Sequence, residues 1–398
     1  MVDVPSGYKQ TKVGVVPEDW EETELSSFID EKIIYCNDEK VSLGSLTIES
    51  GVIPKPAQYK REHLVKDTVD AYKLVETSDF AYNPMNLRFG ALALYKNNIQ
   101  LKVSSYYNIF NVDENIVDID YIYAYFKSEK IMFYYNRMAI GSLEEKKRVH
   151  FKEFRKFIFP LPPLKEQQTI AQILITWDDA ISKQEKLIKV KERLKKGLMQ
   201  KLLSGEVRFS GFDEAWEEVN LRDVAKIIMG QSPSSNSYNE EKIGIPLIQG
   251  NADCKNRKTI PRIYTTEKTK ECNIGDIIMT VRAPVGAVSK SLHNACIGRG
   301  VCAIRPNDGN GFLYHFLVMY EEKWKKYSQG STFTAVNSGD IKNLKIKLPA
   351  KQEQQKIAQV LTTADKEIEL LKKELESLKE QKKGLMQMLL TGKVRAVI

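Results

Sequence analysis

The chain has 398 residues, 42% of them hydrophobic, and a formal net charge of +8. This length predicts two or three domains, and the apolar fraction is ordinary for a globular protein. No apolar run approaches the ~18 residues of a membrane helix, and the N-terminal residues lack the basic and apolar stretches of a signal peptide. We therefore expect a cytoplasmic protein with no membrane partner. The charge permits binding to a polyanion without establishing it.

Residues 1–160 form the first globular segment. An acidic-aromatic cluster around Trp20 opens it, and an apolar-alternating run leads from its end into Leu161 and Pro162. Residues 91–95 have the composition of a strand, and residues 119–135 form an aromatic-rich helical stretch. A cationic run late in the segment is a candidate nucleic-acid contact, because Lys and Arg neutralise phosphate. It contains Lys146, Lys147 and Arg148.

Residues 161–208 align without a gap to residues 348–395, at a constant offset of 187 positions. The copies begin LPPLKEQQTIAQIL and LPAKQEQQKIAQVL, and they end KKGLMQKLLSGEVR and KKGLMQMLLTGKVR. A repeat of this length predicts two copies of one structural unit. From Ile170 in the first copy and Ile357 in the second, apolar residues recur at steps of four and three, which is the seam of a coiled coil.

Polar residues interrupt the first seam at Gln184, Lys191 and Lys195, and only Lys195 recurs in the second copy, as Lys382. The first helix connects the first globular segment to the second, and the second helix follows the second segment. If the two helices pair side by side, the second most simply runs back toward the first segment. The pair is then antiparallel, with one segment at each end and pseudo-two-fold symmetry. Two unrelated surface helices are the alternative.

The near-identical helix ends are candidates either for contacts with partner subunits or for pairing of the helices with each other. These candidates are Lys195, Gly197, Leu198 and Met199, and Lys382, Gly384, Leu385 and Met386.

Residues 210–347 form the second globular segment. Like the first, it begins with an acidic-aromatic cluster and ends in an apolar-alternating run. Strands are predicted at 277–281 and 301–304, and a helix at 311–327. Arg bridges guanine O6 and N7, and Gln bridges adenine N6 and N7, so several residues here are candidate DNA contacts. They are Arg282, Arg299, Gln329, Ser331 and Thr332. For each one taken alone, a solvated surface position is the alternative.

The sequence contains no phosphate-loop, H-E-x-x-H or G-x-S-x-G motif. The five cysteines form no C-x-x-C pair, which favours reduced thiols, and His293 with Cys296 and Cys302 lacks a fourth metal ligand. Residues 83–86 are superficially similar to the N-P-P-aromatic signature of adenine-N6 methyltransferases but lack the second proline and the aromatic. We expect no catalytic residue, no bound cofactor and no metal in this chain.

These observations predict an α+β fold with four parts. Residues 1–160 and 210–347 are two α/β recognition domains. Residues 161–209 and 348–398 are the first and second repeat spacer helices, which form a long antiparallel two-helix coiled coil separating the domains.

Two divergent domains, each followed by L-P-x-x-x-E-Q-Q-x-I-A-Q and a helix ending K-K-G-L-M-Q-x-L-L-x-G-x-V-R, make the chain similar to the specificity subunit of type I restriction–modification enzymes. The stretches GVVPEDW at 14–20 and RAPVG at 282–286 also resemble the recognition domains of that family.

The resemblance implies a non-catalytic subunit of an adenine-N6 methyltransferase and ATP-dependent endonuclease complex that defends against foreign DNA. Each domain would read one half of a bipartite double-stranded target, and the helices would set the number of unread base pairs. The implied partners are two modification subunits, which bind S-adenosylmethionine, and restriction subunits, which use ATP and Mg²⁺. The competing hypotheses are a coiled-coil scaffold joining two protein-binding domains, and a nuclease or methyltransferase with unrecognised motifs. Self-association of the isolated chain stays open.

Overall fold

The computed structural model describes residues 4–12, 14–56, 70–309, 311–329 and 335–396. The chain divides into two compact units. Unit 1 comprises Met1–Glu185 and Glu374–Ile398, and unit 2 comprises Lys186–Lys373. Each unit therefore contains one globular segment and a length of both repeat helices.

Unit 1 contains twelve strands among its described residues: β1 (Tyr8–Thr11), β2 (Gly14–Pro17), β3 (Glu21–Glu24), β4 (Ile29–Glu31), β5 (Ser42–Thr47), β6 (Gly51–Pro54), β7 (Tyr72–Val75), β8 (Phe80–Tyr82), β9 (Leu92–Leu94), β10 (Leu101–Ser104), β11 (Asn108–Val112) and β12 (Ile158–Leu161). Its helices are α1 (Ile119–Phe126), α2 (Glu129–Met138), α3 (Phe151–Phe154) and the first part of α4 (Leu164–Ser204). The strands form two four-stranded sheets, β6-β5-β10-β7 and β4-β11-β8-β9, and two pairs, β1-β2 and β12-β3.

The core of unit 1 is aromatic. Phe80 on β8 stacks on Phe110 on β11 with ring centroids 5.0 Å apart, and Phe126 of α1 meets Phe80 edge-on. Helix α1 begins where it does because the Asp118 carboxylate accepts hydrogen bonds from the backbone N–H groups of Asp120 and Tyr121, at 3.1 and 2.9 Å.

Unit 2 contains the remaining strands of the described chain: β13 (Glu217–Asn220), β14 (Ala225–Met229), β15 (Tyr238–Asn239), β16 (Ile245–Ile248), β17 (Cys254–Lys255), β18 (Lys258–Thr259), β19 (Ile263–Thr265), β20 (Glu271–Cys272), β21 (Ile277–Thr280), β22 (Val288–Lys290), β23 (Ala295–Ile297), β24 (Val301–Pro306) and β25 (Lys345–Leu348). Its helices are α5 (Leu221–Val224), α6 (Phe312–Gln329), α7 (Ser338–Lys342), the last part of α4 and the first part of α8 (Lys351–Leu389). The sheets are β14-β24-β21-β22-β18-β17, β15-β19-β16-β23-β20 and the pair β13-β25.

The predicted elements are present with adjusted ends. The strands predicted at 91–95, 277–281 and 301–304 are β9, β21 and β24, and the helix predicted at 311–327 is α6. The stretch predicted as helical at 119–135 is two helices, α1 and α2, which are separated at Lys127 and Ser128.

Helices α4 and α8 pack against each other in both units and run antiparallel. Ion pairs join them at positions where the numbers along α4 rise as those along α8 fall: Asp178–Lys382 and Glu185–Lys379 in unit 1, and Glu192–Lys372 and Lys195–Asp365 in unit 2. Seam residues such as Ile170 and Leu389 in unit 1, and Leu202 and Leu361 in unit 2, are buried. The predicted fold class, with its antiparallel helix pair, is confirmed.

None of the helices in the described residues combines the length and the apolar character needed to cross a membrane.

Candidate nucleic-acid interface

Unit 2 has a surface cavity of about 250 Å³ that brings together two residues selected from the sequence, Arg282 and Arg299. The described residues that line it are Ser232, Gln249, Gly250, Asn251, Arg282, Ala283, Arg299 and Gly300. Sequence reasoning missed Ser232, Gln249 and Asn251. Each of these residues is unremarkable in its local sequence and joins the site only through the fold.

The strand register explains why these distant loops meet. Strands β16 and β23 are parallel neighbours, with Ile248 opposite Ile297, so the residues that follow them emerge at the same sheet edge. Strand β24 begins shortly after β23 ends and lies between β14 and β21 in the six-stranded sheet, so its first residues face the last residues of both. The loops after β14, β16, β21 and β23 therefore converge on one place.

Glycines allow these loops to pack backbone against backbone beneath the cavity. A Cβ atom at Gly300 would lie 2.1 Å from the carbonyl oxygen of Gln249, and one at Gly230 would lie 2.1 Å from the carbonyl oxygen of Gly298. Any side chain at either position would force the loops apart. The glycines beside Arg299 thus set the shape of the cavity.

The two cavity arginines differ from the other arginines of the second globular segment in having no partner. Arg282 and Arg299 are exposed, and neither side chain is hydrogen-bonded or ion-paired to any residue that the structure describes. The paired arginines bind carboxylates: Arg257 to Glu321, Arg262 to Asp253, and Arg305 to Asp276. Two uncompensated guanidinium groups at one cavity leave their N–H groups available to a ligand that offers acceptors.

Gln249 is held in a fixed orientation at the same cavity. Its backbone N–H donates to Asp253 Oδ2 at 2.8 Å, and its side-chain Nε2 donates to the Tyr238 hydroxyl at 2.9 Å. No residue of the described ranges donates to its Oε1. The site therefore offers an oriented amide oxygen as an acceptor, together with two exposed guanidinium groups as donors.

In unit 1 the predicted cationic run is partly neutralised by an acid three residues before Lys147. Lys147 Nζ lies 2.6 Å from Glu144 Oε2, and Arg88 Nη1 lies 2.5 Å from Glu144 Oε1. The hydrogen bonds from Lys147 and Arg88 lower the pKa of Glu144, so this carboxyl stays ionised and cancels part of the positive charge. Lys146 is exposed, and its side chain has no partner among the described residues.

The backbone of Arg148 holds it in position, because it exchanges two hydrogen bonds of 3.0 Å with the backbone of Ile140.

Three more residues were predicted as DNA contacts in the second globular segment. Ser331 and Thr332 lie outside the described residues. Gln329 is the last residue of α6, and its side chain likewise lies outside the description.

The matching helix ends have mostly internal roles. Lys195 and Lys382 form the seam ion pairs with Asp365 and Asp178. The apolar residues face the globular segments: Leu198 and Met199 pack on the core of unit 2, and Leu385 and Met386 on the core of unit 1. Gly197 and Gly384 differ, because a Cβ atom at either would meet no described atom within 4 Å outside the local backbone of its own helix and the two adjoining residues.

A second pair of contacts between repeat ends was missed. In unit 1, Arg395 Nε and Nη2 each donate to the Glu166 carboxylate at 2.8 Å, and in unit 2, Arg208 donates to Glu353 at 3.0 and 2.8 Å. Both glutamates and both arginines recur at the 187-residue offset, which is the signal that could have identified them.

Within the described ranges, no group of three or more His, Cys, Asp or Glu side chains is arranged to hold a metal ion. His293, which begins the incomplete metal motif, instead lies with its Nδ1 3.1 Å from Thr259 Oγ1.

Comparisons with known proteins agree with one another. The family model described as the type I restriction modification DNA specificity domain matches twice, at residues 17–192 and 213–380. Solved structures with the same fold include a chain from a study of complex assembly and conformational transition in a type I R-M system, with a TM-score of 0.61, 22% identity, and coverage of 95% of this chain and 99% of that one. The S subunit of a type I restriction-modification system from M. genitalium also has a TM-score of 0.61, with 15% identity and 98% of both chains covered.

Two sequence relatives come from Methanocaldococcus jannaschii. A protein assigned as a type I restriction enzyme MjaX specificity subunit is 32% identical, over 98% of this chain and 96% of its own length. The MjaVIII specificity subunit is 25% identical, over 96% and 94%. Two family matches that together span most of the residues, and a relative similar along its full length, establish that this chain belongs to the family of type I restriction–modification DNA specificity subunits, the non-catalytic components that recognise DNA in those systems.

Proposed function

We propose that each globular segment of this chain reads one half of a bipartite DNA sequence and that the paired helices fix the number of unread base pairs between the halves. The observation that carries the proposal is the duplication of the helix contacts. Each unit pairs its own lengths of α4 and α8 through the same two kinds of ion pair, at positions 187 residues apart.

Joining two DNA-reading segments on one chain strengthens the binding of the whole chain to its target. Once the first half-site is bound, the second reader meets its half-site at a high effective concentration, provided that the spacing matches. The linked readers thus impose a spacing requirement that neither could impose alone. Contacts to phosphate should also make binding weaken as salt concentration rises.

For DNA contact we assign the cavity arginines Arg282 and Arg299 in unit 2, and Lys146 and Arg148 in unit 1. Two observations support the unit 2 site: its guanidinium groups are unpaired, and glycines let its loops pack closely backbone against backbone. Lys147 contributes less net charge because Glu144 pairs with it. Gln329, Ser331 and Thr332 remain candidates from the sequence.

For partner subunits we assign the exposed flank of the repeat ends. Lys195 and Lys382 have a structural role in ion pairs, and the Leu-Met pairs have one in core packing. Neither role explains why both copies carry a glycine, at Gly197 and Gly384. A glycine inside a helix costs about 0.5–1 kcal/mol relative to alanine, so an open flank at both copies suits close approach by another chain. We propose two modification subunits there, which carry S-adenosylmethionine, with restriction subunits adding ATP and Mg²⁺ chemistry. The target adenine would be flipped into a partner's pocket.

Exchange of one reader tests the proposal. Residues 22–140 are replaced by the equivalent residues of another family member, and the chain is co-expressed with its modification subunit. Sequencing of N6-methyladenine in the host DNA should show one half-site changed and the other half and the gap unchanged. The matched exchange over residues 218–329 should change the opposite half. A change in both halves from either exchange would contradict independent reading.

A further inference from the structure

We propose that the cavity between Arg282 and Arg299 reads a G·C base pair from the major groove, in the half-site that belongs to unit 2. This inference rests on the proposed DNA-reading function and deepens it, because it names the base pair and the residues that select it. In a G·C pair, guanine presents the acceptors O6 and N7, and cytosine presents the N4 amino donor.

The cavity offers the complementary set of groups. Arg282 and Arg299 both bring guanidinium N–H donors that no described residue occupies. A guanidinium fork matches the spacing of guanine O6 and N7, which makes this the commonest specific contact to a base. Gln249 Oε1 supplies the acceptor for the cytosine amino group, and the bond from Nε2 to the Tyr238 hydroxyl orients that amide.

The hydrogen bonds of Gln249 also restrict how it could read adenine. Glutamine reads adenine with two hydrogen bonds, one accepted from N6 and one donated to N7. One of the two Nε2 hydrogens already donates to the Tyr238 hydroxyl at 2.9 Å, so only the other could donate to N7. The backbone bond from Gln249 N–H to Asp253 at 2.8 Å holds the residue in this orientation.

A phosphate ligand fits the cavity less well. Phosphate sites in loops commonly use several free backbone N–H groups. Here the N–H of Gly298 donates to the Ile248 carbonyl at 2.8 Å, and the N–H of Arg299 donates to Ser232 Oγ at 3.2 Å. None of the described residues that line the cavity is a lysine. Its charged donors are the two planar guanidinium groups, whose shape suits the edge of a base.

The test uses substitutions that keep the charge. Arg282→Lys and Arg299→Lys are each prepared in the full chain, in complex with its modification subunit. Arg193→Lys, at an exposed position on α4 outside the cavity lining, is the matched control. Binding is measured to duplexes carrying the native target and every single-base-pair change in the unit 2 half-site. The reader exchange over residues 218–329 identifies that half independently.

The expected result is a G·C position at which wild type and Arg193→Lys reject other pairs by about 10- to 100-fold, a discrimination that falls below about three-fold in at least one cavity variant. The salt dependence should stay unchanged, because each substitution keeps the positive charge. Uniform weakening at all positions, with every preference kept, would overturn the inference and indicate phosphate contacts. A unit 2 half-site without a G·C pair would overturn it while leaving the proposed function intact. A complex with no bipartite target would remove both.

Discussion

Lys382 forms an ion pair with Asp178 in unit 1, with Nζ 2.5 Å from Oδ1, and the residues at the 187-residue offset, Lys195 and Asp365, form the same pair in unit 2. Both lysines stand at seam positions, where a charge would otherwise weaken the coiled coil. Each is satisfied by an aspartate of the opposite helix. The polar interruption therefore helps to fix the register of the helix pair and does so identically in both units.

Reversing one of these charges should weaken unit 1. Lys382→Glu removes the ion pair and places two carboxylates opposite each other, so we expect the free energy of unfolding to fall by about 1 kcal/mol. Unfolding in urea measures the loss. Adding Asp178→Lys to the same chain should restore most of the stability, and no recovery in the double variant would show that the pair does not fix the register.

Arg395 should stabilise unit 1 by satisfying a buried carboxylate. Glu166 also accepts bonds from the Trp20 indole at 3.1 Å and from the Ala396 backbone at 3.3 Å, but Arg395 supplies its only charged donor among the described residues. We expect Arg395→Met to cost about 2 kcal/mol, measured by urea unfolding.

The equivalent change in unit 2, Arg208→Met, is the matched comparison. Glu353 is fully buried, and its described side-chain hydrogen bonds come from Arg208. Adding Glu353→Gln to Arg208→Met should recover stability, because the isolated charge is then removed. If Glu353→Gln lowered stability further, the carboxylate would have another source of compensation.

His315 is a buried histidine on α6 beside the helix pair of unit 2. Its Nε2 lies 3.1 Å from Thr362 Oγ1 and its Nδ1 3.9 Å from Asp365 Oδ2. Burial lowers its pKa to about 4, although Asp365 opposes the shift. The neighbouring cations Lys195, Lys290 and Arg257 act in the same direction as burial.

This pKa predicts the acid sensitivity of unit 2. A folded-state pKa near 4 lies below the unfolded value of about 6.5, so the unfolded chain takes up the proton first as pH falls. The stability from neutral His315 is complete above about pH 6.5 and is lost progressively down to about pH 4, by about 3 kcal/mol. His315→Gln should flatten the pH dependence of urea unfolding between pH 7 and 4. An equal slope in the variant and wild type would contradict the prediction.

The open flanks of Gly197 and Gly384 predict opposite effects on folding and on assembly. Leucine is a better helix former than glycine, so Gly197→Leu with Gly384→Leu should raise the unfolding free energy by about 0.5–1 kcal/mol per site. The same variant should bind modification subunits at least ten-fold more weakly, measured by calorimetry, because leucine blocks close approach. Gly→Ala at both sites is the milder control. Undiminished binding of the leucine variant would place the partners elsewhere.

Lengthening both helices should lengthen the unread gap. A seven-residue insertion after Glu185 and another after Lys373 leave each unit intact and keep the heptad phase. Seven residues add about 10 Å of helix, or about three base-pair steps at ~3.4 Å each. Sequencing of methylated DNA should show both half-sites unchanged and the gap about three base pairs longer. An insertion in α4 alone is the control and should impair recognition, whereas an unchanged gap with both insertions would refute spacing by the helices.

The helix pair could be predicted from the sequence because its determinants are periodic and repeated. The seam from Ile170 and the seam from Ile357 are each visible within one stretch of chain. The proposed reading site could be predicted only in part. Arg282 and Arg299 can be selected from the sequence because each lies in a short stretch that contains glycine, whereas Gln249 joins them through the parallel pairing of β16 and β23, which no local pattern encodes.

The pairing of Lys147 with Glu144 was also not predicted, although the two residues are close in sequence. The two residues stand three positions apart across the 3-10 turn Glu144–Lys146, and that turn brings their side chains together. The contact between Arg395 and Glu166 spans 229 positions, so it follows from the antiparallel helix pair and not from spacing.

We propose that one chain specifies two half-sites and the gap between them. The sharpest test is single-molecule sequencing of N6-methyladenine in cells carrying the modification subunit with and without this chain. We expect one bipartite methylated motif of fixed gap that disappears when the chain is deleted. Methylation that persists without the chain, or a motif with a single uninterrupted half, would contradict it.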